Sequence, residues 1–215
     1  MGHSQNKYIP ALKYRVLTPF FDSVLRLTMQ DTTFKLRMVK ESDIKPNFRV
    51  LDLGCGTATL TILARRANTE ATVVGMDGDP EVLKIAKAKT ASLELQIPLV
   101  CGMSLELPHP DNCFDCVLSS LLFHHLTREN KIRTFKEAFR VLRPGGMLLV
   151  ADFGTPGNAF MRLFSVIGQR FEETSDNLKG LLPLMAQDAG FCEVGEYARY
   201  GTIFGTLSLF KAQKP

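Results

Sequence analysis

One stretch constrains this chain more than any other: Val50-Leu51-Asp52-Leu53-Gly54-Cys55-Gly56-Thr57-Ala58-Thr59. A short apolar run, read as a buried strand, passes straight into glycines and then into a helical pattern. Gly54 can take backbone angles closed to other residues, and Gly56 has no Cβ, so a ligand can lie against the main chain. The helix behind the loop begins with unpaired N–H groups. Asp77 ends the next strand, 21 positions after Gly56. A carboxylate there, one strand over, can accept hydrogen bonds from the vicinal hydroxyls of a ribose. Strand, loop, helix, strand and acid in that order outweigh the plainer reading of a turn with a helix cap. They imply an adenosine-containing ligand at the carboxyl edge of the sheet. Thr59 stands where a dinucleotide-binding Gly-x-Gly-x-x-Gly places its third glycine, so pyrophosphate recognition is poorly supported.

The rest of the chain keeps the same rhythm of short β-branched runs and longer amphipathic segments, the pattern of a parallel sheet covered by helices. Strands are expected at 49–53, 71–77, 97–101, 114–119 and 147–152. Helices are expected at 57–67, from the Asp79-Pro80 cap to 92, from the Thr127 cap to Arg143-Pro144-Gly145-Gly146, and over 175–189 up to Gly190. Two closing strands, 192–199 and 202–211, are expected to form an antiparallel hairpin around Tyr200-Gly201. Residues 1–45 are read as a helical cap over the ligand edge, and 46–215 as the binding domain. Thr18-Pro19 opens one cap helix, and Asp31 caps a second that carries Phe34, Met38 and Val39.

Composition narrows the class. The 215 residues are 45% hydrophobic and 22% charged, which suits a globular domain with a real core. A net charge of +4, with dispersed Lys and Arg, favours a solvated surface over a nucleic-acid patch. Five irregularly spaced cysteines, with no apolar signal segment, point to reduced thiols in the cytoplasm. Cys113-Phe114-Asp115-Cys116 lacks the further ligands of a zinc site, so no metal is expected.

Residues 50–59 resemble motif I of class I S-adenosylmethionine-dependent methyltransferases, and Val74-Gly75-Met76-Asp77 is similar to their acidic second-strand motif. Residues 105–108 and 111–117 resemble the Leu-Pro-Phe-x-Asp-x-x-Phe-Asp-x-Val stretch of the ubiquinone/menaquinone-type branch. Phe123-His124-His125-Leu126, residues 140–146 and Ala189-Gly190-Phe191 look like the landmarks that follow. The resemblance implies a Rossmann-like seven-stranded sheet of order 3-2-1-4-5-7-6, with strand 7 antiparallel and helices on both faces. It implies S-adenosylmethionine as methyl donor, S-adenosylhomocysteine as product and a small apolar, aromatic or lipid-like acceptor, with the protein a monomer or homodimer.

It also implies roles. Asp52, with the main chain of Gly54 and Gly56, would face the methionine part, and Cys55 and Thr57 complete that loop. Asp77 would hold the ribose, flanked by Met76 and Gly78. Ser104 and Leu105 would meet the adenine edge, and Ser119 and Ser120 would border the sulfonium. Two positions depart from the pattern. Ala58 replaces a glycine, which a helix start should tolerate. Met103 replaces the Asp that binds the adenine amine; it can pack on the ring but accepts no strong hydrogen bond.

His124 or His125, just past strand four, could remove a proton from the acceptor; the plainer reading has one packing and the other holding the helix start. Phe160, Arg162, Phe164, Arg170 and Phe171 suit either an acceptor wall or ordinary packing, and 155–180 with the N-terminal helices would close over the acceptor. The alternatives are a catalytically weak or inert cofactor-binding module, an RNA or protein methyltransferase, and a nicotinamide oxidoreductase. Ser119-Ser120-Leu121-Leu122 is not the Asn/Asp-Pro-Pro-Tyr of base-amine methyltransferases.

Overall fold

A computed structural model describes residues 31–157, 172–202 and 205–215. The expected helix after Thr18-Pro19 and the segment from Phe160 to Phe171 lie outside them. In chain order the elements are α1 (Asp31–Ser42), β1 (Arg49–Leu53), α2 (Thr59–Ala67), β2 (Thr72–Asp77), α3 (Pro80–Ser92), β3 (Leu99–Cys101) and β4 (Phe114–Ser120). A 3₁₀ turn (Phe123–His125) leads to α4 (Arg128–Val141), β5 (Leu142–Phe153), α5 (Glu172–Leu178), α6 (Leu182–Asp188), β6 (Cys192–Thr202) and β7 (Gly205–Gln213). The seven strands are ordered β3-β2-β1-β4-β5-β7-β6. β7 runs antiparallel to β5 and β6 on either side of it, and the other adjacent pairs are parallel. The strand order reverses between β1 and β4, where open parallel sheets bind ligands beyond their carboxyl ends.

Alternation along the strands builds two cores. Leu51, Leu53, Val74, Val117, Leu148, Val150 and Phe210 face one side and pack with Phe135, Ala138 and Val141 of α4 and Leu182 and Met185 of α6. Val50, Val73, Cys116, Leu118, Leu149, Ala151 and Leu209 face the other, under Phe34, Met38 and Val39 of α1 and Leu60 and Ala64 of α2. Both faces are covered, so the strands read as near-continuous apolar runs. Cys113 belongs to the first core and Cys116 to the second, which separates the two thiols across the sheet. Among the described residues no cluster of metal-ligating side chains occurs.

Several expected boundaries move, each for a local reason. Helix α2 begins at Thr59, not 57, because Ala58 is left-handed, with φ 63°. The methyl at Ala58 therefore does not sit within a helix start. Helix α4 stops at Val141, but Pro144-Gly145-Gly146 is a bulge inside β5 and not a turn before it: pairing jumps from Phe114↔Leu142 to Cys116↔Met147, with Gly145 at φ 78°. The helix expected over 175–189 is broken into α5 and α6 around Gly180, at φ 70°. Tyr200 and Gly201 do not form the hairpin turn; they pair with Leu207 and Thr206, and the chain reverses between Thr202 and Gly205. The caps hold as expected: Asp79 accepts from Glu81 N at 2.9 Å, and Thr127 from Asn130 N at 3.3 Å.

Candidate active site

The glycine loop is tied to β2 before any ligand arrives. The N–H groups of Gly54 and Cys55 both donate to the Met76 carbonyl, at 2.8 and 2.9 Å. Met76 thus serves the loop through its main chain, while its side chain lies in the core. Gly54 has φ 74°, and a Cβ there would press on Leu122 at 3.0 Å. Gly56, at φ 53°, has nothing within 4 Å of the place its Cβ would take. That free volume beside bare main chain is the cradle expected for a ligand. Cys55 is a buried filler packed on β2, its Sγ 3.1 Å from where a Cβ on Gly75 would lie. Thr57 is half-buried at the turn of the loop.

Asp77 is positioned over this cradle. Gly56 N donates to Oδ2 at 2.9 Å and Asp79 N to Oδ1 at 2.9 Å. Desolvation pushes its carboxyl up, and those two N–H groups together with Gly78 N pull it part of the way back. Three N–H donors leave the carboxylate capacity to accept from a ribose hydroxyl.

Asp52 is fully buried at the carboxyl end of β1. Its Oδ2 accepts from Thr61 Oγ1 at 2.6 Å, and its Oδ1 has no partner among the described residues. Burial pushes its carboxyl up to about 6, opposed by the Thr61 hydroxyl and the charge of Lys35 on α1. A buried, half-satisfied carboxylate is a socket for an ammonium group. Together the orphaned Asp52 oxygen, the open Gly56 cradle and the paired Asp77 fit an amino-acid-bearing nucleoside.

The adenine-edge residues are arranged differently from one another. Met103 is 37% exposed, available to lie on a ring. The Ser104 hydroxyl turns inward, 3.0 Å from Thr134 Oγ1, and Leu105 is buried. Ser104 therefore offers the cleft its main chain and not its side chain. Arg140 of α4 anchors the loop that follows, donating to the Leu107 and His109 carbonyls and to Asp111 at 2.7–3.0 Å. The Ser119 hydroxyl likewise turns away, bridging to Leu53 O at 3.0 Å across the switch point, while Ser120 is half-buried.

The two histidines differ. His124 Nδ1 lies 2.9 Å from Asp152 Oδ1 at the end of β5. Asp152 is buried and also accepts from Phe123 N, Phe153 N and Asn177 Nδ2 at 2.7, 2.8 and 3.0 Å. Despite the desolvation, the neighbouring His124 and these hydrogen bonds hold its carboxyl below the usual range. A carboxylate can only accept, so Nδ1 is the nitrogen that carries a proton toward Asp152, and Nε2 points away from it. His125 lies beside it, ring centroids 3.9 Å apart; desolvation where it packs on its neighbours, and then His124, lower its pKa. Neither histidine holds the helix start, since Thr127 caps α4.

Sequence reasoning missed Thr61, Asp152 and Asn177. The rule that drew attention to Asp77, an acid ending a buried strand, applies equally to Asp152. Nothing local marks Thr61 or Asn177.

Comparison with known proteins places this geometry. Residues 50–146, from β1 into β5, match a methyltransferase domain family. A demethylmenaquinone methyltransferase of Listeria welshimeri is 31% identical over 88% of this chain and 87% of its own length. One of Staphylococcus saprophyticus is 30% identical over 71% of this chain and 68% of its own. In fold, an Aquifex aeolicus S-adenosylmethionine-dependent methyltransferase superposes with TM-score 0.61 at 19% identity, covering 84% of this chain and 89% of that one. A Haemonchus contortus N-methyltransferase, solved with phosphomonomethylethanolamine and S-adenosylhomocysteine, gives TM-score 0.70 at 18% identity, covering 85% and 52%. No helix among the described residues is long and apolar enough to cross a membrane. The strand order, the acid at the end of β2 and the extent of the likeness to these relatives agree: the chain belongs to the class I S-adenosylmethionine-dependent methyltransferases of the ubiquinone/menaquinone type.

Proposed function

We propose that this enzyme methylates a ring carbon of a reduced, prenylated aromatic acceptor of the demethylmenaquinol kind, with His124 as the proton acceptor. The observation that carries the reading is the His124–Asp152 pair, a buried carboxylate holding an imidazole just past β4. Relatives that bear the demethylmenaquinone name along most of the chain supply the acceptor class. A quinone ring is electrophilic; only the hydroquinone has the electron density to attack a methyl group. A phenolic lone pair pushes into the ring, the ring carbon bonds the methyl, and the S–CH₃ electron pair returns to sulfur. One proton leaves overall, and His124 Nε2 takes it.

In this reading S-adenosylmethionine lies along the loop. Asp52 receives its ammonium group, Asp77 its ribose hydroxyls, and Gly54, Cys55, Gly56 and Thr57 its backbone side. Met76 and Gly78 flank the adenosine, Met103, Ser104 and Leu105 its base, and Ser119 and Ser120 the sulfonium. The protein supplies alignment and a dry cleft, since charge disperses as the methyl moves. In this reading the enzyme works in the cytoplasm. The test is transfer of labelled methyl to 2-prenyl-1,4-naphthohydroquinone, with its quinone form and phosphoethanolamine as comparison acceptors. Transfer to the hydroquinone alone, lost in His124→Gln with S-adenosylhomocysteine affinity retained, is expected. Transfer to phosphoethanolamine alone would refute the acceptor class.

A further inference from the structure

Among the described residues, Asp152 draws its hydrogen bonds from Phe123 and His124 of the 3₁₀ turn and from Phe153 at the end of β5, with one exception. The exception is Asn177, 25 residues on in α5, whose Nδ2 donates at 3.0 Å to Oδ1, the same oxygen that holds His124 Nδ1. Asn177 is 1% exposed. Its own Oδ1 is buried with no partner among the described residues. A side chain needed only to fill that space would do better as leucine, which buries no unpaired carbonyl. What the amide accomplishes therefore lies at its other end, on Asp152.

Its neighbour Asp176 makes a second anchor. Arg128 of α4 grips Asp176 through Nε and Nη2, the shortest contact being 2.8 Å, and Lys131, fully buried one turn later, lies 3.7 Å from it. Consecutive residues of α5 thus fasten the helix to α4 and to the His124–Asp152 pair. The charged groups around His124 are Asp152 on β5, Asp176 on α5, Arg128 and Lys131 on α4, with His125 beside it.

We propose that Asn177 is a positioning residue for methyl transfer: it fixes the Asp152 carboxylate, and through it the ring and tautomer of His124. This rests on the role proposed for His124. Without Asn177, Asp152 Oδ1 loses its donor from α5, the imidazole is held less firmly, and Nε2 is no longer kept in line with the acceptor. The exchange of bonds is the one given above, with the acceptor's proton ending on Nε2.

The test uses the full chain with Asn177→Leu, and Asn177→Ser as a smaller variant that retains a donor. Three quantities are read: imidazole ¹⁵N signals of His124, the pH profile of kcat with 2-prenyl-1,4-naphthohydroquinone, and the S-adenosylhomocysteine Kd. Expected in Asn177→Leu are mixed His124 tautomers, a shifted acidic limb of the pH profile, and kcat lower by about tenfold to a hundredfold at unchanged Kd. Asn177→Ser should fall between it and the parent. A single Nδ1–H tautomer and parental kcat in both variants would overturn the proposal, and so would a loss of kcat matched by an equal loss of Kd. If Asn177→Leu does not fold, Asn177→Ser decides alone. If the parent transfers no methyl group, the His124 reading fails, while the tautomer data still judge the hold of Asn177 on the pair.

Discussion

Asp52 offers a sharp test, because its protonation should govern cofactor binding at mildly acidic pH. Burial pushes its carboxyl up to about 6. Only the ionised form suits an ammonium group, so binding is strongest above that pH and weakens as pH falls through it. About nine-tenths of Asp52 is ionised at pH 7 and about one-tenth at pH 5, so the S-adenosylhomocysteine Kd should rise roughly tenfold between them. Near pH 6, binding should release about half a proton, visible as a calorimetric heat that depends on the buffer. Thr61→Val removes the 2.6 Å hydrogen bond that favours the charged form. A hydrogen bond to a charged group contributes about 1.5–3 kcal/mol, or about one to two pH units. The variant's midpoint should move up, and its Kd at pH 7 should weaken by about twofold to tenfold. Asp77 is also pushed up by burial, so the comparison with Thr61→Val is what isolates Asp52. Titration calorimetry from pH 5 to 8 gives the answer. A flat Kd in the parent, or one midpoint shared by both proteins, would refute the socket.

Asp77→Ala should weaken S-adenosylhomocysteine binding by at least about a hundredfold in the same assay, since it removes two hydrogen bonds to a carboxylate. Ala58→Gly should change stability by less than about 1 kcal/mol in urea unfolding. Relief of a left-handed alanine, about 1–2 kcal/mol, is offset by the lost methyl burial, about 0.8 kcal/mol, and by unfolded-chain entropy, about 0.4–1 kcal/mol. Ala58→Val at the same φ should lose more than about 2 kcal/mol. Arg140→Ala should cost about 2 kcal/mol of stability and weaken adenosine binding, because Arg140 holds the 107–111 segment on α4; an unchanged adenosine Kd would show that the segment does not need this anchor.

The sequence alone determined the parallel sheet, the glycine loop and Asp77, while the strand order came only with the family resemblance. Those features are written locally: apolar runs of strand length, a glycine where the chain must turn, a carboxylate at the end of a strand. Tertiary structure decided which side chains the site can use. Ser104 and Ser119 carry the expected hydroxyls, yet each spends its hydroxyl on a neighbouring element, a choice that depends on what lies across the gap. Above all, His124, Asp152 and Asn177 meet across 28 and 25 residues of chain. No spacing rule spans such distances, because the contact is made by the ends of two adjacent strands and by a helix that comes back to cover them.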